Sequence, residues 1–213
     1  MKPVHPTRQR ILKNALQIAS VQGIQGTTIG AVAKQSKLSK SGLFCHFQSK
    51  ELMQTAILEA AEELFLVNVV TKAKKDPPGL NRLRSLFTSW LGWAKRSGLD
   101  GGCPFVHAVS EYDALSPPVQ EKVMAVQNGW LGVLGQQAHI AVRRGELMSN
   151  TDVDQLVFEL LGVYLAHHWN LRIGIRENVD AKALTAFERL LEPITVHDDA
   201  RPAPDPVLMA LNA

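Results

Sequence analysis

A chain of 213 residues, 46% hydrophobic and 20% charged, can bury a substantial core as one large domain or as a small one joined to a larger. Lacking any run of about eighteen apolar residues, it excludes a membrane-spanning helix. Its net charge of +3 conceals a segregation: residues 1–50 carry eight basic side chains and no acidic one, and the remainder sums to −5. Charge so one-sided implies a polyanionic partner for the first fifty residues and none for the rest.

In chain order, Met1-Lys2-Pro3-Val4-His5-Pro6 lacks the apolar middle of a signal peptide, which argues against export and for a cytoplasmic protein. Two cysteines, Cys45 and Cys103, are too few for a disulfide framework and suit a reducing compartment. Ile11, Ala15, Ile18 and Ala19 recur at helical spacing, with Gly23 where a C-cap belongs. Thr27 or Thr28 then caps a short helix with Ile29, Val32 and Ala33 on one face. Residues 36–39 form a polar break, and a third short helix starts near Ser39.

Two short helices joined by a tight turn are the layout of a helix-turn-helix. The second helix of such a pair enters the major groove and needs small or polar residues at its N-terminal end. Ser39, Lys40, Ser41 and Gly42 fit that need, with Lys37 in the turn before them. Phe44 and His46 flank the groove side, while Leu43 and Phe47 point inward. Lys50 starts the next helix, where free N–H groups and a cation can hold a phosphate; Thr27 and Thr28 serve an earlier start.

That next helix, opened by Ser49-Lys50-Glu51, is predicted to run to about Lys74, and Asp76-Pro77-Pro78-Gly79 stops it. Further helices are predicted over 80–97, 103–113, 119–144, 152–175 and 181–191, with no strand alternation bounded by turn signals. The expected fold is therefore all-α. An N-terminal three-helix helix-turn-helix domain spans 1–50, and a larger helical domain for ligand binding and dimerisation spans 51–192. Residues 193–213, rich in Pro, Asp and Ala, read as a loose tail, although Val207, Leu208, Met209 and Leu211 could dock.

All four tryptophans lie in the larger domain. Phe65, Trp90, Trp93, Phe105 and Trp130, with Cys103, His107, Glu111 and His168, are candidates for a mostly apolar pocket with a few polar groups; each aromatic can equally be plain core. Cys103 begins a predicted helix, where thiolate is stabilised, so it is either a redox or electrophile sensor or a small buried residue. Cys103 and His107, and again His107 and Glu111, stand four apart, as a nucleophile–base pair or two metal ligands would. No phosphate loop, nucleophile elbow or spaced ligand cluster accompanies them, so no catalysis, metal or cofactor is expected. An architectural DNA binder fits the basic head but not the long neutral-to-acidic helical remainder.

Residues 7–53 resemble the DNA-binding domain of the tetracycline-repressor (TetR) family of bacterial regulators. The matching residues are Arg10-Ile11-Leu12, Ala15, Gly23, Thr27-Thr28, Ile29, Ala33, Ser39, Gly42-Leu43-Phe44, His46-Phe47 and Ser49-Lys50-Glu51-Leu52. The family usually has Tyr at the position of Phe44, so a hydroxyl able to bind phosphate is missing here. It also often has two acidic residues where only Glu51 precedes Leu52. The resemblance implies a homodimer on double-stranded DNA, a small-molecule effector in the larger domain, and release of a repressor from its operator. Two-fold symmetry would place two recognition helices about 34–36 Å apart on a near-palindromic site. Leu156, Leu160, Val163, Tyr164 and His167 form one apolar stripe, and Ala183, Ala186, Phe187, Leu190 and Leu191 another. Each can pair across that two-fold or face its own core. Gly101-Gly102-Cys103-Pro104-Phe105 with Glu111-Tyr112-Asp113 resembles a pattern in one subgroup of the family.

Overall fold

A computed structural model describes residues 6–175 and 177–196. Among them the fold is all-α: α1 Pro6–Gln22, α2 Ile29–Ser36, α3 Lys40–Phe47, α4 Lys50–Phe65, α5 Thr71–Ala73, α6 Leu80–Trp90, α7 Trp93–Arg96, α8 Pro104–Ser110, α9 Pro117–Arg143, α10 Val153–Arg172 and α11 Val179–Leu191. An isolated β-bridge joins Leu147 to Thr195.

The head is built from locally specified pieces. Each of its later helices starts on a hydroxyl that accepts a free backbone N–H: Thr28 from Ala31 at 3.1 Å, Ser39 from Gly42 at 3.0 Å and Ser49 from Leu52 at 3.1 Å. Such a cap contributes about 1 kcal/mol. α1 ends on Gly23 at φ +77°, as its position predicts. α2 ends on Lys37 at φ +56°, where the N–H of Leu38 reaches back to the carbonyl of Ala33 at 2.9 Å. The handedness cost of a non-glycine residue there is roughly 1–2 kcal/mol, offset by that closing bond. Ile11, Ala15, Ile24, Val32 and Leu43 are fully buried and knit α1, α2 and α3 together. Arg8 lies over the Phe47 ring, 5.0 Å from its centroid, and pins α3 to α1.

α4 leaves the head and enters the body, where Phe65 meets Trp93, Trp130 and Phe105 edge-on at 5.0, 4.8 and 6.3 Å. Trp90 stacks flat on Tyr164 at 3.7 Å, and Phe87 on Phe187 at 4.3 Å, which ties α6 to α10 and α11. Rings of this size dominate core energetics, and paired geometry adds roughly 0.5–1.5 kcal/mol per pair beyond area.

Several expectations need correction. The helix expected to run unbroken from Lys50 towards Lys74 loosens into a π-helical turn, Leu66–Val70, before α5. The single helix expected over 80–97 is two, because Leu91 adopts an extended ψ of 121° and Gly92 a left-handed φ of +62°. α9 starts on Pro117 rather than after the two prolines; the first helical position tolerates Pro, whose missing N–H would be unpaired anyway. Of the two apolar stripes, whose direction the spacing left open, Leu156, Leu160, Tyr164 and His167 on α10 and Ala183, Phe187 and Leu191 on α11 are buried in the chain's own core, while Val163, Ala186 and Leu190 are half-buried. The tail is anchored as far as Val196, since Met148 donates to Ile194 and Val196 to Glu146. Val207, Leu208, Met209 and Leu211 lie outside the described residues.

Candidate functional site

The head presents its basic, small-residue surface on α3 and the helix starts beside it. Lys37, Ser39, Lys40 and Ser41 are exposed, Gly42 half-buried, and no acidic side chain precedes Glu51. The Ser39 and Ser41 hydroxyls lie 3.0 Å apart, so the α3 start offers two short side chains already held in place. An added Cβ on Gly42 would sit 3.2 Å from the Ser39 hydroxyl, close enough that the capping side chain would have to shift by a few tenths of an ångström. Phe44 is 48% exposed, a large apolar ring turned outward beside this surface, with His46 half-buried on the same helix. Leu43 and Phe47 are the inward anchors, as expected.

Two of the expected phosphate-holding side chains are placed otherwise. Thr27 is fully buried and its hydroxyl donates to the Ile24 carbonyl at 2.5 Å, so the exposed cap of α2 is Thr28 alone. Lys50 does open α4, yet it is half-buried and its ammonium donates to Gln25 at 3.2 Å.

In the body a cavity of about 490 Å³ lies between α4, α6, α8, α9 and α10. Phe65, Trp90, Phe105 and Trp130 wall it, with Cys103, Tyr164 and His168 as polar neighbours. Three expected pocket residues do not line it. Trp93 packs beneath, edge-on to Phe65 and close to Tyr164 and Cys103, with its indole nitrogen buried and unpartnered. Glu111 turns toward the head, where its carboxylate accepts the Gln25 N–H at 3.0 Å. His107 interacts with the Ser20 backbone instead, and its Nε2 is buried without a partner. Cys103 is the N-cap residue of α8 and its carbonyl accepts the His107 N–H at 3.2 Å, yet Cys103 lines the cavity while His107 turns to Ser20. Tyr164, Gln127 and Leu161 line the cavity but were not among the expected pocket residues. Tyr164 sits one helical turn before His168, the signal that could have found it.

Burial sets the protonation of this site. It pushes the Cys103 thiol up, outweighing the neighbouring Tyr164, the Val106 and Phe105 backbone and Trp93. The helix start therefore does not yield a thiolate. Burial likewise raises Tyr164 well above the ordinary phenol range, with Cys103 adding to it. His168 is held down at about 4 by burial, then by the positive charge of His107, Arg172 and His167, so its imidazole is neutral near pH 7. His107 is lowered by burial and Arg172, against Glu111 and the Ser20 backbone.

One stretch, residues 98–114, serves both regions. Cys103, Phe105 and Val106 wall the cavity. From the same stretch, Gly101 and Gly102 donate to the Ser20 hydroxyl at 3.2 Å and the Ser20 carbonyl at 2.7 Å. Gln17 donates to the Gly98 carbonyl at 2.6 Å and accepts the Asp100 N–H at 3.0 Å. Gln25 reaches the Ala114 carbonyl at 2.6 Å. A Cβ on Gly101 would land on the Ser20 backbone, and one on Gly23 on the Glu111 carboxylate, so these glycines permit the contact.

A basic helix-turn-helix head fixed to a helical body with an internal cavity defines a one-chain DNA reader joined to a sensing domain. The family model described as bacterial regulatory proteins, tetR family, matches residues 11–54, and that described as tetracyclin repressor-like, C-terminal domain, matches residues 79–187. The chain belongs to the TetR family of DNA-binding transcriptional regulators. The HTH-type transcriptional regulator TcmR of Streptomyces glaucescens is 25% identical over 198 residues, covering 88% of this chain and 82% of the relative. A TetR transcriptional regulator from Chloroflexus aurantiacus superposes with a TM-score of 0.75 at 24% identity, covering 87% and 92% of the two chains. AibR, solved with isovaleryl coenzyme A and operator DNA, superposes with a TM-score of 0.71 at 20% identity, covering 87% and 98%. Among the described residues no helix is long and apolar enough to cross a membrane.

Proposed function

We propose that this protein is a cytoplasmic homodimeric repressor that leaves a near-palindromic operator when a small molecule fills the body cavity. The observation that carries the reading is the stretch 98–114, which walls the cavity and holds α1 at Gln17, Ser20 and Gln25. A molecule that fits the cavity better with this stretch shifted favours a different head position; one binding both positions equally would shift nothing. In this reading Ser39, Lys40, Ser41 and Gly42 face base edges and the adjoining backbone, with Phe44 and His46 beside them. Lys37, Thr28 and the α4 start at Lys50 hold phosphates.

The homodimer draws support from the outer face of α10. Phe158, Leu165, Trp169 and Ile173 follow one another at helical spacing and are 71%, 41%, 64% and 60% exposed. An apolar row of that size on a soluble surface marks a contact surface. It replaces the core-facing stripe that the sequence suggested. Cys103 acts here as a wall of the cavity rather than a sensor thiol, because burial keeps it protonated.

The test is selection of the purified protein on random duplex DNA, followed by binding to the recovered motif across a salt series. A two-fold motif is the expected result, and a pool with no motif would sink the reading. Lys40→Ala should weaken motif and random DNA alike and flatten the salt slope by about one unit, whereas Ser41→Ala should weaken the motif selectively.

A further inference from the structure

We propose that the cavity takes an uncharged molecule with an aromatic or alicyclic frame and one polar group, and that it discriminates against carboxylates and coenzyme A thioesters. The proposal rests on the reading of this cavity as the effector site and adds the chemistry of what it admits.

The first support is the charge of the walls. Glu62 is the one acidic or basic side chain lining the cavity, and the Lys122 ammonium satisfies it at 2.6 Å. No cation is left over to receive an anion. A carboxylate moved from water into such a site loses its hydration without replacement, a cost that excludes it unless a partner is supplied. Lys95, Arg96 and Arg172 line an adjoining groove, which shares Cys103, Tyr164 and His168 with the cavity, but none of the three cations lines the cavity itself.

The second support is the form of the apolar part. Phe65 and Trp90 both meet Trp130 edge-on, at 4.8 and 5.1 Å, so the rings fix one another and give the cavity stiff walls. Rigid aromatic surface suits a compact frame and offers little to a hydrated chain of phosphates.

Third, the polar capacity apart from the paired Glu62 is uncharged, with Ser110 and Gln127 adding neutral groups to the three side chains that follow. Cys103, Tyr164 and His168 line the cavity together, the first two held protonated by burial and the third neutral near pH 7. Protonated thiol, phenol and neutral imidazole can each give or take a hydrogen bond without a charge, which matches a carbonyl, ether or hydroxyl group. Groups acting on that imidazole are His107 from α8 and His167 and Arg172 from α10; all oppose its protonation, so it will not turn into the missing cation.

Gly129 supplies a direct probe. It lines the cavity from α9, and an added Cβ there meets nothing within 4 Å, so a larger side chain can occupy the space without displacing backbone. Gly132, on the same helix, is equally open but lies outside the cavity. Both substitutions remove a mid-helix glycine, so neither endangers folding.

The experiment is calorimetric titration of the full chain at neutral pH. Its probes are the methyl esters and free acids of benzoic, cyclohexanecarboxylic and naphthoic acid, naphthoyl-coenzyme A and phenyltrimethylammonium. At least one ester is expected to bind about tenfold more tightly than its own acid and than every charged probe. Gly129→Leu should weaken that ester by about tenfold or more, while Gly132→Leu leaves it unchanged. His168→Arg should move the preference toward the acid. An acid, the thioester or the ammonium binding more tightly than the esters, and blocked by Gly129→Leu, would overturn the preference for uncharged molecules and leave the cavity as the site. Binding indifferent to Gly129→Leu, or no binding by any probe, would overturn the cavity reading and the proposal with it.

Discussion

Head and body solve the same problem, the unpaired groups at helix starts, in opposite ways. In the head, α2, α3 and α4 each begin on a hydroxyl three residues from the N–H it accepts. In the body, α10 alone among the helices from α6 onward has a cap of that kind, from Asp152 to the Gln155 N–H. The start of α6 is satisfied from afar, by Glu146 at 2.7 Å and Gln137 at 3.2 Å. The described residues with buried polar atoms that lack a partner also all belong to the body: Trp93, Ser97, His107, Ser116, Trp130 and His167. A buried donor or acceptor left unpaired costs about 1–3 kcal/mol. The head is thus specified locally and presents one fixed surface. The body is held by distant contacts between aromatic rings and keeps polar capacity that its own folding does not use.

The contrast can be attacked where the two halves touch. Gly101→Val should have the largest effect, because any Cβ there collides with the Ser20 backbone. Separating the stretch 98–114 from α1 is expected to cost about 3 kcal/mol in chemical unfolding. It should also cut the tie between effector and DNA affinity, read by titrating operator binding with and without an effector. Effects that stayed within a few tenths of a kcal/mol would mean that the two halves communicate elsewhere.

A smaller, paired measurement sharpens the difference in capping. Ser39→Ala should cost about 1 kcal/mol, since it removes a made cap. Ser116→Ala, at the start of α9, should be neutral or stabilising, because its buried hydroxyl makes no bond. Equal losses from both would erase the distinction drawn above.

The remaining effect concerns acid and is absent at neutral pH. His168 titrates at about 4 in the folded chain and near 6.5 when unfolded. Between those values the unfolded chain binds a proton that the folded chain refuses. Stability is therefore full above about pH 6.5 and declines as pH falls toward 4. His107, lowered from the same ordinary value, contributes with the same sign. Melting temperatures across this range should fall less steeply in His168→Gln than in the parent.

The head was legible because its signals are local. Thr28, Ser39, Ser49 and Gly23 mark boundaries through their own chemistry, and Leu43 and Phe47 alternate with exposed neighbours in a short helix. The body was legible in outline only. Gly92 is a single residue inside an otherwise continuous helical pattern, and its left-handed turn lies between two buried tryptophans, Trp90 and Trp93, whose distant partners the local sequence does not reveal. α10 is apolar on nearly every face, with Leu156, Leu160 and Tyr164 inward and Phe158, Leu165 and Trp169 outward, so periodicity could not choose between them. Six of the nine expected pocket residues line the cavity. His107 and Glu111 were expected at the cavity as polar side chains of this half, and both turn to the head instead, His107 to the Ser20 backbone and Glu111 to the Gln25 N–H.

The tryptophans carry a practical consequence. Trp90, Trp130 and Trp169 border the cavity and Trp93 lies against its floor, while the head contains none. Excited at the indole band, the molecule therefore emits entirely from its sensing half. Trp169, 64% exposed in the single chain, reports on the α10 face proposed to meet the second copy, and the three buried indoles report from a dry interior. An arriving guest is announced as a change in colour and intensity without any label, and a DNA duplex settling on α3 leaves that signal untouched unless the body itself rearranges. The protein carries its own two-channel spectrometer, one that reports on occupancy and on coupling separately.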